Sequence, residues 1–240
     1  MGVQPLFSHF QFHRSRPVSC QTGDRPPVPS AGFTILEVLV AMVVASIMVM
    51  IITPPVFLVT AARVQQRRAQ QSLQLAQAEI DRVRTTVERG VYTLDDLPTM
   101  AGNNLSAVPA ATGIASQLKS TNPSCNTYRG DRLPSTQFLP IDINGDCQSD
   151  FLLQSVRTNG PTGTAVPVTG FQMVARVYVD LPLVRQNIGQ LNTTPARLAF
   201  STGIGTAAVQ PLAVLQSTIA RPDTSNALQN YRTLCDNGGC

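Results

Sequence analysis

The sequence predicts an α+β fold, with one long N-terminal helix followed by a β-rich domain. Three observations predict it. Residues 38–62 hold no charged side chain, a run of about 25 where ~20 suffice to cross a bilayer core as a helix. Residues 63–90 then place apolar side chains at alternating spacings of three and four, which marks one face of a helix. Beyond residue 150, short runs of alternating apolar and polar residues are separated by Gly and Pro, as in an antiparallel meander.

The helix is expected over about 33–88, in two halves. The first, 33–62, is apolar all round, as a membrane span must be. Pro54 and Pro55 fall inside it. Each removes a helical hydrogen bond and crowds the preceding turn, so a kink or a loosened turn near Thr53 is expected, although membrane helices also tolerate Pro. The second half, 63–90, is amphipathic. Leu73, Ala76, Ile80, Val83 and Val87 form its stripe, which should pack on a sheet. A short coiled-coil segment is the alternative, although the repeat lasts only about two heptads and sustained coiled coils need more. Glu79 with Arg82, and Asp81 with Arg84, are three apart and predict two surface ion pairs. Gly90 is placed to end the helix as a C-cap.

Residues 91–135 are rich in Pro, Gly, Ala, Asn and Thr. They read as a long irregular connection with one short helix near 114–118. Strands are expected at 151–158, 171–181, 197–201 and 212–219. The second is the clearest. Phe171, Met173, Ala175, Val177, Val179 and Leu181 alternate with Gln172, Arg176 and Asp180, the period of a half-buried strand. Residues 221–240 read as a polar loop.

Composition narrows the chemistry. Both histidines, His9 and His13, lie before Gly32, and Lys119 is the sole lysine. Beyond residue 32 there is no His for acid–base work, for a Ser-His-Asp or Cys-His pair, or for a metal. The nearest approach to a phosphate loop, at 113–120, has Leu118 where that motif needs Gly. These residues point away from an enzyme. Only 13% of residues are charged and the net charge is +4, too weak to argue for nucleic acid.

Cys20 lies in the N-terminal 32 residues, and Cys125, Cys147, Cys235 and Cys240 remain. An even number in an exported domain favours two disulfides, for which three pairings are possible. Cys125–Cys147 with Cys235–Cys240 is the least entangled. No pair has the Cys-x-x-Cys spacing of a zinc site.

Residues 1–32 are Pro-rich and basic, with Arg14, Arg16 and Arg25 against Asp24, and they have no apolar core of their own. They do not read as a conventional secretory signal. Immediately after them come Gly32, Phe33, Thr34, Ile35, Leu36 and Glu37, and then the apolar run. An acid at the head of a membrane span costs a few kcal/mol, so about that much must be recovered by a partner. The sequence G-F-T-I-L-E-V-L-V-A resembles the prepilin cleavage and methylation site of type IV pilins and pseudopilins. The resemblance covers about 32–90 and is specific in its first ten positions.

That resemblance implies a pilin-like fold, the long helix packed on an antiparallel sheet of about four strands. It implies four segments: a cytoplasmic leader, 1–32, removed by a prepilin peptidase; a transmembrane and assembly helix, 33–62; its amphipathic half, 63–90; and a β-rich globular domain, 91–240. It implies cleavage between Gly32 and Phe33 and N-methylation of Phe33. Glu37 would then pair with the freed α-amino group of a neighbouring subunit, since a paired charge is far cheaper in an apolar filament core than a lone one. The implied partners are other pilin or pseudopilin subunits, the peptidase and an inner-membrane assembly platform. The implied place is the inner membrane, single-pass, with the globular domain periplasmic or extracellular. The implied function is that of a minor pilin or pseudopilin, a filament subunit of a type IV pilus or type II secretion-like system, serving secretion, motility or adhesion. The segments A-R-V-Q-Q-R-R and E-I-D-R-V-R look similar to cyanobacterial pseudopilins associated with polysaccharide secretion in gliding filaments.

Two further motifs stand apart. Asp142, Asn144, Asp146 and Asp150 occupy positions 1, 3, 5 and 9 of a tight loop before a strand, a spacing that can ring a Ca²⁺ ion. Cys147 stands where such loops usually have Gly, and Leu153 where an EF-hand has its bidentate Glu. An ordinary Asx turn is the alternative, and a Cys125–Cys147 bridge would hold the loop in place of glycine. Arg63, Arg67 and Arg68 follow the span directly, facing lipid phosphates or lining a filament groove as solvated helix residues. No other cofactor is expected. A membrane-anchored calcium- or glycan-binding adhesin module and an unprocessed single-span protein are the rival expectations.

Overall fold

A computed structural model describes residues 32, 34–160, 170–196, 208–221 and 227–235, and of these the side chains at 53–58, 61, 227, 230, 231 and 234 lie outside the described set. The chain divides into two units, Met1–Ile51 and Ile52–Cys240.

In the first unit, Thr34 starts the helix α1, Ile35–Arg89. Its carbonyl accepts from the amides of Glu37 at 3.0 Å and Val38 at 3.2 Å. Its hydroxyl accepts from the Glu37 amide at 3.3 Å. The Val38 bond is the first regular turn of the helix, and the Glu37 amide, one of those that every helix start leaves unpaired, is satisfied by Thr34. From Ile35 to Ile52 the mean hydropathy is 2.9 and no part is buried, so this stretch is long and apolar enough to cross a membrane. Helical backbone continues through Pro54 and Pro55, whose side chains lie outside the described residues.

In the second unit, α1 packs one stripe inward. Ala76, Ile80, Val83 and Val87 are buried as expected, and Ser72 and Glu79 are buried with them. Leu73, expected in the stripe, is instead 41% exposed, and Leu75 packs against the core in its place. α1 ends at Gly90, which takes φ +73 and donates its amide to the Val87 carbonyl at 3.2 Å. A residue with a Cβ is strained there, so glycine is the natural cap.

The sheet behind the stripe has four main strands, all antiparallel: β4 (Gln137–Asp142), β5 (Phe151–Arg157), β6 (Gly170–Val179) and β7 (Ala213–Ala220). Three two-residue strands pair with these in parallel and make the sheet mixed. They are β1 (Thr99–Met100) on β5, and β2 (Gly113–Ile114) and β3 (Lys119–Ser120) on β4. The strands expected at 151–158, 171–181 and 212–219 are β5, β6 and β7, whereas the one expected at 197–201 lies outside the described residues. β4 was not foreseen, because Pro140 interrupts its period. The short helix expected near 114–118 is not there. β2 and β3 flank that stretch, since the chain gains more hydrogen bonds by running along the edge of β4 than one helical turn could supply. Two short helices complete the order, α2 (Pro182–Gln186) and α3 (Ala227–Leu234), the latter where a loop was expected.

β6 is buried on both faces rather than one. Phe171, Met173, Ala175 and Val177 join Leu139, Ile141, Phe151 and Leu153 against α1. On the far side Tyr178, Leu152 and Phe138 pack with Ala110, Ala111, Val184 and Leu191, and Val174 and Val156 pack with Leu105 and Val108. Residues 101–114 of the connection therefore form the second cover of the sheet, while Tyr92, Leu97 and Leu133 join the cluster against α1.

Candidate functional site

The residues singled out by the sequence fall into three places. The head of α1 holds the first. Gly32 is exposed, and Glu37 lies exposed in the first helical turn, where an acid also suits the positive end of the helix dipole. Thr34 and Glu37 stand three apart, as in a capping box, and the Thr34 arm of that box is made. Phe33 lies outside the described residues. Around Glu37 the apolar surface of Ile35, Leu36, Leu39, Val43 and Ile47 is exposed, and nothing among the described residues of the first unit covers it. An apolar surface on this scale needs a bilayer or other apolar helices.

The second place is the loop 142–150. It is joined to the connection by a disulfide, Cys125–Cys147, with Cα atoms 5.6 Å apart. Cys147 has φ +67, the left-handed backbone that Gly usually takes. A residue with a Cβ pays about 1–2 kcal/mol there. Its amide donates to Asp142 Oδ2 at 2.9 Å, so bridge and hydrogen bond together hold the conformation. The Gly145 amide donates to Asp142 Oδ1 at 2.7 Å and the Ser120 hydroxyl to Oδ2 at 2.7 Å. Burial pushes the Asp142 carboxyl up, but these donors outweigh it and hold the group below its ordinary value. Asn144 accepts from the Asp146 amide at 2.9 Å, Asp146 from Gln148 at 2.8 Å, and Asp150 from Ile143 at 2.9 Å.

Asn144 and Asp146 thus make Asx turns on the amides two residues ahead, while Asp142 and Asp150 brace the loop over longer spans. No group of three or more acidic, Cys or His side chains placed to hold a metal occurs among the described residues. Asp142, Asn144, Asp146 and Asp150 are close in sequence, but each is oriented by a different donor. Cys235 is also disulfide-bonded, and its partner, like Cys240, lies outside the described residues.

The third place was not foreseen. Arg176 on β6 and Arg157 on β5 are buried, and neither meets a carboxylate among the described residues. Arg176 donates to the carbonyls of Val108 and Leu105 and to Gln154 Oε1 at 3.3 Å. Gln154 passes its amide to the carbonyls of Pro109 at 3.0 Å and Ser135 at 2.9 Å. Arg157 donates to Pro98 at 3.0 Å and lies over the Phe171 ring, 5.2 Å from its centre. Burial pulls both guanidinium pKa values down. These groups supply donors to a covering loop whose carbonyls have no strand to pair with. In the sequence Arg176 shows only as one of the polar residues alternating through a half-buried strand, a period that does not tell a solvent face from a covered one.

Glu79 corrects another expectation. It is 4% exposed, and Arg82 holds it through two bonds of 2.8 and 2.9 Å. Burial pulls the Arg82 pKa down, but the Glu79 carboxylate outweighs it and raises the value. The Asp81–Arg84 pair is on the surface as expected, at 3.8 Å.

A family model described as the prokaryotic N-terminal methylation motif matches residues 29–53. No curated protein and no solved structure matches the chain. Families with this motif are generally structural rather than enzymatic. The chain carries the prepilin-type N-terminal methylation motif at the head of an apolar helix, an arrangement consistent with a type IV pilin-like protein.

Proposed function

We propose that this chain is a minor pilin or pseudopilin, a structural subunit of a membrane-based filament that serves secretion, motility or adhesion. One observation carries the proposal: the methylation motif opens a helix whose first 18 residues are apolar but for Glu37 and Ser46, with none of them buried. Such a surface has two uses in sequence. It holds the subunit in the membrane, and it then packs against the helices of other subunits.

The leader, 1–32, is cut between Gly32 and Phe33, and the new N-terminus of Phe33 is methylated. Methylation keeps the amine charged. Glu37 of a neighbouring subunit neutralises it, which removes the cost of either charge alone in an apolar core. That pair also sets the axial register of one subunit on the next. The Cys125–Cys147 bridge supports export of the globular domain to an oxidising compartment. Assembly with other subunits, processing by a prepilin peptidase and engagement with an inner-membrane platform follow from the same reading. Polysaccharide is one candidate cargo, on the likeness of 62–68 and 79–84 to the secretion-linked pseudopilins.

Mass spectrometry of the mature N-terminus tests it. The expected species begins at a methylated Phe33. A mature chain that still carries residues 1–32 overturns the proposal.

A further inference from the structure

The first charges after the apolar run are Arg63, Arg67 and Arg68, and between Glu37 and Glu79 the sequence contains no acid. Half-buried Ala62, Gln65 and Ala69 continue the inward stripe of α1 toward Ser72 and Ala76. Arg63, Arg67 and Arg68 are exposed, with half-exposed Val64 beside them. Arg63 and Arg67 are one turn apart and share a face. Among the described residues, none of the three has a hydrogen bond or ion pair. The nearest acid that follows, Glu79, is already held by Arg82.

The chemistry of the band is specific. All three cations are arginines, whose planar fork can bind a phosphate through two parallel bonds. They also stand where a span ends. About 20 residues cross the hydrocarbon, and the remaining few of the uncharged run reach the headgroup layer. With the leader inside, these cations lie on the translocated side, where positive residues are disfavoured. Once the leader is cut, Arg14, Arg16 and Arg25 are gone, and residues 33–62 hold no basic side chain.

We propose that Arg63, Arg67 and Arg68 form a phosphate-binding band that seats on anionic lipid headgroups of the outer leaflet. The proposal rests on the pilin-like membrane reading. The band fixes the depth of the cut subunit after its inner basic anchor has been removed, and so presents Glu37 at a constant level for assembly.

The test uses the processed chain, beginning at Phe33, in nanodiscs containing equal phosphatidylglycerol and phosphatidylcholine, with native mass spectrometry counting retained lipids. The expected result is retention of phosphatidylglycerol over phosphatidylcholine, with a gain of up to about fivefold per arginine near an anionic surface. R63Q/R67Q/R68Q should bring the two lipids to near parity, and R63K/R67K/R68K should keep part of the preference. Equal retention by the wild type, or an unchanged preference in the glutamine variant, overturns the band. A glutamine variant that keeps the preference but no longer assembles also overturns it and assigns the arginines to a subunit contact. A wild-type chain released by alkaline carbonate from native membranes overturns the membrane reading itself, a result distinct from loss of lipid preference in an inserted chain.

Discussion

Arg176, buried in the middle of β6, donates to the carbonyl of Leu105 at 2.9 Å, a residue 71 positions earlier in the chain. A second bond of 2.8 Å reaches Val108. A cation in a core is costly, but so are carbonyls with no donor, and here each removes the other's cost.

Arg176→Met should therefore destabilise the domain by about 3 kcal/mol, because it strands carbonyls in a dry place. Arg176→Lys should recover only part, since an ammonium lacks the fork that spans two carbonyls. Hydrogen exchange read across residues 104–110 checks the assignment. Protection lost there first, ahead of β6 itself, is the expected pattern.

Gly90→Ala should cost about 1–2 kcal/mol, for φ +73 is a left-handed conformation. An added Cβ would also meet the Arg221 guanidinium at 3.2 Å. Thermal unfolding of the full chain should show a lower Tm. An unchanged Tm would mean that the end of α1 can be re-formed without a left-handed residue.

The disulfide and the backbone at Cys147 can be separated. C125S/C147S should lose about 2–4 kcal/mol, the usual worth of a bridge across such a loop. C125S/C147G should be more stable than C125S/C147S by about 1 kcal/mol, because glycine takes φ +67 without strain. Equal stability of the two double variants would show that strain at this position is not what the bridge overcomes.

Asp142 makes stability sensitive to acid. Its carboxyl is held below the ordinary value in the folded chain, so the unfolded chain binds the proton more readily. Its contribution is present in full above about pH 4 and is lost as pH falls through the folded value. Asp142→Asn should flatten the acid limb of a stability–pH curve and leave its slope above pH 6 unchanged.

Glu37→Gln should leave membrane insertion intact and abolish incorporation into filaments, if the charge serves assembly. Fractionation followed by isolation of sheared filaments measures both. Normal incorporation would assign Glu37 to the start of α1, where Thr34 already binds its amide.

Much of the first half of the chain was legible in the sequence. The span, the stripe of Ala76, Ile80, Val83 and Val87 and the cap at Gly90 all depend on neighbours within a few turns. The four antiparallel strands were legible in part. β6 announced itself through its period, whereas β4, broken by Pro140, did not. Glu79 was misread because a charge at a helix position says nothing about what covers it. Phe33 and the leader lie outside the described residues and their roles rest on the motif; Cys240 lies outside them too, and its pairing rests on the cysteine count.

The sequence by itself determined that a methylation motif heads an apolar helix and that an amphipathic half with a β-rich domain follows. Periodicity, hydropathy and a short motif are properties of adjacent residues, and they survive without a fold. Only the tertiary structure decided that residues 101–114 of the connection cover the far face of the sheet, that Arg176 and Arg157 serve the connection's carbonyls, and that Cys125 meets Cys147 across a left-handed turn. Those outcomes depend on which distant backbone groups compete for the same donors, and that competition is settled only when the whole domain closes.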